Sequence, residues 1–232
     1  MCTALSNCFR KCIWGENVLA APAIPYTEEI ELKLIAGDSG RKKQDMRAWE
    51  NFIEWTTSRE FPGNFSLHDL MEQIDGTGRR ALDLGCGAGR DTELLLNNDW
   101  HVTAVDMCPL AINHLNPLKS THSDKLEIVL STLEDFPFTE NYDLIVAHNV
   151  LGFCAPGKIK AIWDRMYSSL YENGCVLCSL PVPIGGNYSE WSMNREEMIH
   201  FFIDRRFTII DEIPINTPDS DHPTRLILQK IE

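Results

Sequence analysis

The chain has 232 residues, of which 44% are hydrophobic, and its 34 acidic and 21 basic residues give it a formal charge of −13. This length and apolar fraction suit one α/β domain with a sizeable core and a helical N-terminal addition. Proteins that bind a phosphate backbone normally present a basic face, whereas the basic clusters of this sequence are limited to residues 41–43 and 205–206. We therefore expect no nucleic-acid partner.

The first 25 residues lack clear periodicity, and we expect them to form a poorly ordered segment. Within this segment, Gly15 and Pro22 interrupt the apolar stretch at residues 13–24, so that it predicts neither a signal peptide nor a membrane span. Its three cysteines are expected to be reduced thiols, with metal binding or lipid attachment as the alternatives: Cys2, Cys8 and Cys12.

Residues 26–66 are predicted to form a helical lid or cap. Apolar residues recur at helical spacing between positions 26 and 59, and a glycine-containing stretch at residues 37–40 interrupts the pattern. The region includes Trp49, Phe52 and Trp55. These aromatic side chains suit either a lid over a binding site or an amphipathic face that packs against the rest of the domain.

From Leu67 to the C terminus, a first helix leads into strands that alternate with helices. The predicted strands are residues 80–84, 101–106, 126–130, 142–148, 174–180, 207–213 and 224–231, and the predicted helices between them are residues 91–97, 109–118, 158–170 and 195–202. This alternation is typical of an α/β protein with a doubly wound, mainly parallel sheet.

The pair Cys175 and Cys178 has a CxxC spacing, but it lies in the fifth predicted strand. Side chains alternate along a strand, so these two thiols should point to opposite faces of the sheet. We therefore expect neither a zinc site nor a redox pair, and no metal elsewhere in the chain. Reduced thiols indicate a cytoplasmic protein without a membrane partner.

A glycine-rich turn follows the first strand, at the edge where doubly wound sheets bind ligands. The turn holds Gly85, Gly87 and Gly89, which let the backbone bend sharply and approach a ligand. Asp106 ends the second strand, at the spacing where an acidic residue accepts hydrogen bonds from ribose hydroxyls. The glycines run GxGxG rather than GxGxxG, and Asp83 would repel a pyrophosphate but attract sulfonium and ammonium groups. The pattern favours a cationic nucleoside.

The segments LDLGCGAGRD and VTAVD resemble motifs I and II of the class I S-adenosylmethionine-dependent methyltransferases. The resemblance is closest to the small-molecule and tellurite-resistance type and extends over residues 67–232. It implies a Rossmann-like α/β fold whose seven-stranded, mainly parallel sheet has an antiparallel last strand. It also implies S-adenosyl-L-methionine as the cofactor and a methyltransferase activity.

The same resemblance assigns a set of residues to the cofactor: Asp83, Gly85, Cys86, Gly87, Gly89, Asp106, Met107, Thr132, Leu133 and His148. It places Asp83 near the amino group, Asp106 at the ribose and Met107 against adenine. The family commonly has an acidic residue at the adenine amino group, where this chain has Thr132. A hydroxyl or a backbone N–H would replace that contact, or Thr132 and Leu133 are ordinary loop residues.

Methyl transfer is an in-line displacement at a carbon that the positive sulfur activates, so the protein must mainly align the reacting atoms. A thiol or tellurite acceptor needs little more, whereas an alcohol or a protonated amine needs a base. His148, after the fourth strand, is the candidate catalytic base, with a purely structural strand-end histidine as the alternative.

The acceptor is expected to be a small molecule. The chain lacks the Asn/Asp-Pro-Pro-aromatic motif of amide and exocyclic-amine methyltransferases, the Pro-Cys nucleophile of cytosine C5 enzymes and the paired glutamates of arginine methyltransferases. Candidate substrate contacts are Asn149, Tyr188 and Trp191, and loop packing is the alternative for the two aromatic residues. His222 and Arg225 flank the last turn, where they can reach an anionic acceptor or remain solvated.

Three other functions stay open at this point. The presence of Thr132 where the family commonly has an acidic residue suits a module that binds the cofactor or its demethylated product without turnover, which product formation would exclude. A protein methyltransferase would label a macromolecule rather than a small molecule. A nicotinamide dehydrogenase shares the sheet and the acidic residue, and it would bind NAD. The sequence makes no prediction of oligomeric state.

Overall fold

The computed structural model describes residues 46–57, 65–72, 74–154, 157–179, 195–214 and 223–231. Several predictions concern residues outside these ranges: the poorly ordered segment 1–25, cap residues 26–45 and 58–64, the three N-terminal cysteines, Tyr188, Trp191 and His222.

The sheet has seven strands, listed in chain order: β1 (Arg80–Leu84), β2 (His101–Asp106), β3 (Leu126–Leu130), β4 (Tyr142–Ala147), β5 (Leu170–Ser179), β6 (Phe207–Pro214) and β7 (Pro223–Lys230). Their spatial order is β3-β2-β1-β4-β5-β7-β6. The first five strands are parallel, and β7 is antiparallel to both β5 and β6. This confirms the predicted α/β fold with a mainly parallel sheet and an antiparallel last strand.

The described helices are α1 (Met46–Thr57), α2 (Phe65–Met71), α3 (Arg90–Asn97), α4 (Pro109–His114), α5 (Asn116–Thr121), α6 (Ile159–Ser168) and α7 (Arg195–Ile203), with a 3-10 turn at Leu151–Phe153. The single helix predicted at residues 109–118 is wrong, because the structure divides it. Pro117 lacks the N–H that would continue the helix, and its ring would clash with the carbonyl four residues earlier. Leu115, at the junction, is fully buried.

The central strands are apolar on both sides because helices cover both faces of the sheet. One face packs Leu82, Trp163 and Phe202 into a core, and the other packs Leu95 and Trp100. Burial in these two layers leaves the carboxyl ends of β1, β2, β4 and β5 as the edge where polar residues collect.

The two cysteines of the CxxC spacing lie in different layers, as predicted. Cys175 belongs to the core that contains Trp100, and Cys178 to the core that contains Trp163. Burial raises the pKa of the Cys175 thiol to about 12 and raises that of Cys178 well above its usual range. Both thiols are free and act as small apolar groups.

Strand β5 begins four residues earlier than predicted. Leu170 pairs with Tyr142, and a register shift then follows before Leu144 pairs with Cys175. Asn173 in this stretch has a left-handed φ of 62°. The polar residues Glu172 and Asn173 interrupt the apolar pattern from which the strand was predicted. At an irregular strand start, apolar and polar side chains need not alternate.

Candidate active site

The glycine-rich turn between β1 and α3 is held against the end of β2. The N–H groups of Gly85 and Cys86 both donate to the carbonyl oxygen of Val105, at 2.8 and 3.0 Å. Gly89 N–H donates to Cys86 O at 2.9 Å, which closes the turn before α3 begins. Cys86 is buried beneath the turn. The loop is therefore fixed by its own backbone.

The three glycines of the turn have left-handed φ values of 70°, 52° and 83°, but their surroundings differ. A Cβ at Gly85 would lie 2.4 Å from Val150, and one at Gly89 would lie 2.3 Å from Leu115. A Cβ at Gly87 would meet only the Gly85 carbonyl oxygen, at 4.0 Å. Gly85 and Gly89 thus permit close packing, and Gly87 borders open space where a ligand can approach the backbone.

Asp106 connects this turn to the end of β2. Its Oδ2 accepts a hydrogen bond from Gly87 N–H at 2.9 Å, and its Oδ1 accepts one from Cys108 N–H at 2.8 Å. Burial raises the pKa of this carboxyl, and the backbone hydrogen bonds oppose that shift. Each oxygen keeps a lone pair, so the carboxylate can also accept hydrogen bonds from two adjacent hydroxyl groups.

Asp83 lies in β1 and is buried, with only 2% of the residue exposed. Thr92 in α3 donates to its Oδ2 at 2.6 Å. Burial, followed by the nearby Asp91 carboxylate, raises the pKa of Asp83 to about 8. A positive group beside Asp83 would offset this penalty, so the residue suits a cationic ligand.

The loop after β3, where Thr132 and Leu133 were predicted to lie beside adenine, contains a closed local turn. Thr132 donates through its hydroxyl to Asp135 Oδ2 at 2.9 Å and accepts from Asp135 N–H at 3.1 Å. Leu133 is buried, whereas Met107 is 37% exposed at the end of β2. The Thr132 hydroxyl is thus engaged within its loop, while Met107 presents an apolar surface at the open edge. The adenine contacts themselves stay predictions.

Arg165 is a residue of this region that sequence reasoning missed. From α6, its Nη1 donates to the carbonyl oxygens of Glu134 and Phe136, both at 3.0 Å, and its Nη2 donates to that of Leu133 at 3.3 Å. The guanidinium therefore holds the loop after β3 from a position about 30 residues further along the chain. No local motif announces such a contact.

His148 follows β4 and contacts the first turn of α3. Its Nδ1 lies 3.4 Å from Oδ2 of Asp91, and both side chains are largely buried. Its Nε2 is buried and has no hydrogen-bond partner within the part of the chain that is described. Asp91 was not predicted as a site residue, although it is the last residue of the glycine motif. The adjacent Asn149 is exposed, with a left-handed φ of 54°.

Helix α1 lies beside the glycine turn. Ile53 packs with Cys108 and Ala111, and Trp49 makes an edge contact with Phe153 at a centroid distance of 4.8 Å. The Arg90 guanidinium donates to the carbonyl oxygen of Thr56, at the end of α1. These contacts attach α1 to the carboxyl edge of the sheet next to the site. The predicted role of residues 26–66 as a lid or cap stays a prediction.

Comparison with known proteins identifies the domain. Residues 82–176 match a methyltransferase domain family. Nodulation protein S of Bradyrhizobium diazoefficiens is 36% identical over 81 residues, which are 35% of this chain and 38% of that protein. The chain thus spans less than two fifths of the length of this relative.

Solved structures share the fold. The 1,6-didemethyltoxoflavin-N1-methyltransferase of Burkholderia thailandensis, with bound 1,6-didemethyltoxoflavin and S-adenosylhomocysteine, aligns with a TM-score of 0.61 at 19% identity and covers 93% of this chain and 94% of its own. TehB from Haemophilus influenzae aligns with a TM-score of 0.55 at 19% identity, over 78% of this chain and 65% of its own.

The fold of the chain, with its seven-stranded sheet, is shared with these solved methyltransferase structures. The match to the methyltransferase domain family lies over residues 82–176, which include the glycine turn and the end of β2. The predicted resemblance to methyltransferases is confirmed for residues 82–176. Among the described residues, none of the helices combines the length and the apolar character needed to cross a membrane. The cytoplasmic location stays a prediction.

Proposed function

We propose that the protein transfers a methyl group from S-adenosyl-L-methionine to a small-molecule acceptor. The observation that carries the proposal is the open side of Gly87, whose N–H donates to the Asp106 carboxylate, in a turn that directly follows the strand of Asp83. The acidic chain charge and the small molecule bound to the structural neighbour from Burkholderia thailandensis also support it. The domain family supports the reaction class.

The residues present fit the cofactor. Asp106 would accept hydrogen bonds from the ribose, Asp83 would face the positive amino acid portion, and the backbone at Gly87 would border the methionyl chain. Met107 offers an apolar surface beside adenine. When bound, the cofactor supplies a methyl carbon that is already activated by a positively charged sulfur.

The protein's own contribution is then alignment and exclusion of water. His148 is the candidate base for a protic acceptor, because its Nε2 has no partner among the described residues. Asn149, Tyr188 and Trp191 are proposed acceptor contacts, and residues 26–66 are proposed to cover the site. The contacts of α1 with Cys108 and Phe153 support that last role.

Calorimetry of S-adenosylmethionine binding tests the cofactor site. We expect a dissociation constant of about 10 µM or below for the native protein, and a loss of about 100-fold or more in Gly87→Val and Asp106→Ala. Gly78→Val is the matched control, since Gly78 also has a left-handed φ of 73° and open space beyond its Cα. No binding to the folded native protein would refute the proposal.

A second measurement separates turnover from mere binding. The Thr132–Asp135 hydrogen bond leaves the Thr132 hydroxyl engaged where the family commonly places an acidic side chain, which favours a non-catalytic binding module as the second candidate. Methyl-labelled cofactor is incubated with the protein and small-molecule and protein fractions of the source cells. Label in a small molecule supports the enzyme, label in protein supports a protein methyltransferase, and no transfer despite tight binding supports the module.

A further inference from the structure

Three polar residues lie side by side across neighbouring strands at the carboxyl edge of the sheet. Ala147 at the end of β4 pairs with Cys178 in β5, so His148 follows next to Ser179. Ser179 in turn pairs with Arg225 in β7. The register therefore places His148, Ser179 and Arg225 in one row, although β7 is more than 40 residues from β5 in sequence.

The three side chains share the face of the sheet that α3 covers. Val146, Leu177 and Ile227 belong to the core that also contains Leu95 of α3. Because side chains alternate along strands, His148, Ser179 and Arg225, each two positions from one of these residues, point to the same side. The 3.4 Å contact between His148 and Asp91, in the first turn of α3, agrees with this orientation.

Two polar atoms in the row are buried without a partner. The Ser179 hydroxyl belongs to a residue that is only 6% exposed, and neither its oxygen nor His148 Nε2 makes a hydrogen bond within the described ranges. Leaving a buried polar atom unpaired is costly, and such atoms need an explanation. A ligand that brings its own donors and acceptors would satisfy both.

The row also carries a positive charge. Burial lowers the pKa of the Arg225 guanidinium, and the negative charge of Asp91 opposes that shift. The charged groups around His148 are thus Asp91 from α3, Arg225 from β7 and Asp83 on the same face of β1. A half-buried guanidinium next to a buried hydroxyl suits an anionic group.

We propose that this row is the acceptor subsite, and that the acceptor is a hydroxyl compound that also bears an anionic group such as a carboxylate. The proposal rests on the methyltransferase function proposed above. Arg225 and the Ser179 hydroxyl bind the anionic group, and His148 Nε2 faces the acceptor hydroxyl. Asp91 is a positioning residue, which holds the other ring nitrogen of His148.

The reaction at this subsite balances without a further reactant. The acceptor oxygen forms a bond to the methyl carbon, and the electron pair of the carbon–sulfur bond returns to sulfur. The hydroxyl proton passes to His148 Nε2, which releases it to solvent after the product leaves. The product is a methyl ether that keeps its anionic group.

The charge of the methylated product tests the proposal. The holoprotein is incubated with methyl-labelled cofactor and a small-molecule extract of the source cells, and the labelled product is applied to an anion exchanger at pH 7. We expect retention. Retention that persists at pH 2 would identify a phosphate or sulfate, whereas retention lost at pH 2 would identify a carboxylate. The label should resist mild alkali, because an ether does not hydrolyse there.

Kinetic measurements on variants then assign a role to each residue. The substrate in these measurements is the precursor of the isolated product. We expect Arg225→Gln and Ser179→Ala to raise KM by about 10-fold or more with a kcat within about threefold of native. His148→Gln should lower kcat by about 100-fold with little change in KM. Asp91→Asn should lower kcat, and Asp91→Glu should recover part of it. Arg206→Gln, an exposed arginine at the turn before β6, is the control and should change neither constant.

The outcomes separate the two proposals. A neutral or cationic product, or label released by mild alkali, would overturn the anionic acceptor and leave the methyltransferase function intact. An unchanged KM in Arg225→Gln would also overturn the anionic acceptor. This holds even if the variant unfolds at a lower temperature, because Arg225 would then have only a structural role. Absence of any labelled small molecule would overturn the proposed methylation of a small-molecule acceptor itself.

Discussion

The carboxyl edge of the sheet has two parts that differ in how their polar groups are satisfied. At β1 and β2, Asp83 is paired with Thr92, and both oxygens of Asp106 accept backbone N–H groups. At β4, β5 and β7, the described residues leave His148 Nε2 and the Ser179 hydroxyl without partners. The carboxyl groups of the first part are held by hydrogen bonds within the protein, whereas two buried polar atoms of the second part have no partner among the described residues.

This difference matches the two kinds of ligand that a methyltransferase handles. A common cofactor can be recognised by a backbone turn and carboxylates that any chain of the class can build. An acceptor that is particular to one enzyme must be recognised by side chains contributed by distant strands. If the first part is rigid, substitutions of its packing glycines should destabilise the fold. If burial raises the pKa of its carboxyl groups, stability and binding of a cation should depend on pH.

The largest expected effect comes from the glycine that the cofactor turn uses for packing. Gly85→Val would put a side chain 2.4 Å from Val150 at a φ of 70°, so we expect a loss of about 4 kcal/mol or more in the free energy of unfolding. Gly87→Val, which faces open space, should lose about 1–2 kcal/mol from backbone strain alone. Urea unfolding of both variants measures the difference. Equal losses would contradict the division of the turn into packing and ligand-facing glycines.

The second prediction concerns the pH dependence that Asp83 imposes. Its pKa is raised from 3.8 to about 8 in the folded protein. Between these values the folded protein keeps a proton that the unfolded chain has released, so its stability falls as pH rises through this window, by at most about 1.4 kcal/mol per pH unit. Above pH 8 this contribution levels off. Thermal unfolding between pH 5 and pH 9 measures the slope.

Asp83→Asn provides the control for this prediction. The variant should lose the contribution of residue 83 to the slope while remaining folded, because the amide can still accept from Thr92. Binding of the cationic cofactor to the native protein should become tighter as pH rises towards 8, since the bound cation favours the ionised carboxyl. A native protein and a variant with identical pH profiles of stability and affinity would show that Asp83 is ionised throughout.

Most of the strand pattern was predictable because it depends on local chemistry. Apolar runs located β1, β2 and β3 at their observed bounds, and the glycine motif located the turn between β1 and α3. Strand β5 was predicted too short because several of its first residues are polar and its pairing with β4 is irregular there. The division of α4 from α5 was readable at Pro117, but the apolar spacing across it favoured one helix.

The row of His148, Ser179 and Arg225 was not predictable from the sequence. His148 was named from its place after a strand, and Arg225 from its place near a turn, but their proximity depends on the order β4-β5-β7 and on the register of each pair. Ser179 looks like an ordinary strand end, and Asp91 like an ordinary first-turn acid. Long-range pairing, rather than residue type, brings these groups together.

The loop that connects β3 to β4 gives a third prediction. Arg165→Gln would remove donors to the carbonyl oxygens of Leu133, Glu134 and Phe136. We expect a loss of about 2 kcal/mol in unfolding free energy, because partly buried carbonyl groups lose charged donors. Cofactor affinity should fall by about threefold to tenfold if this loop borders adenine. Arg79→Gln, on the opposite edge before β1, is the control, and calorimetry should show native affinity for it.

The smallest expected effect distinguishes a loop residue from an adenine contact. Thr132→Val removes the hydroxyl that donates to and accepts from Asp135, so unfolding free energy should fall by about 1 kcal/mol. If the hydroxyl serves only this turn, cofactor affinity should stay within about twofold of native. Thr132→Ser, which keeps the hydroxyl, should restore most of the stability and leave affinity unchanged. A tenfold loss of affinity in Thr132→Val, with affinity recovered in Thr132→Ser, would instead assign the hydroxyl to the ligand. A hydroxyl that serves only the local turn would not change cofactor affinity to that extent.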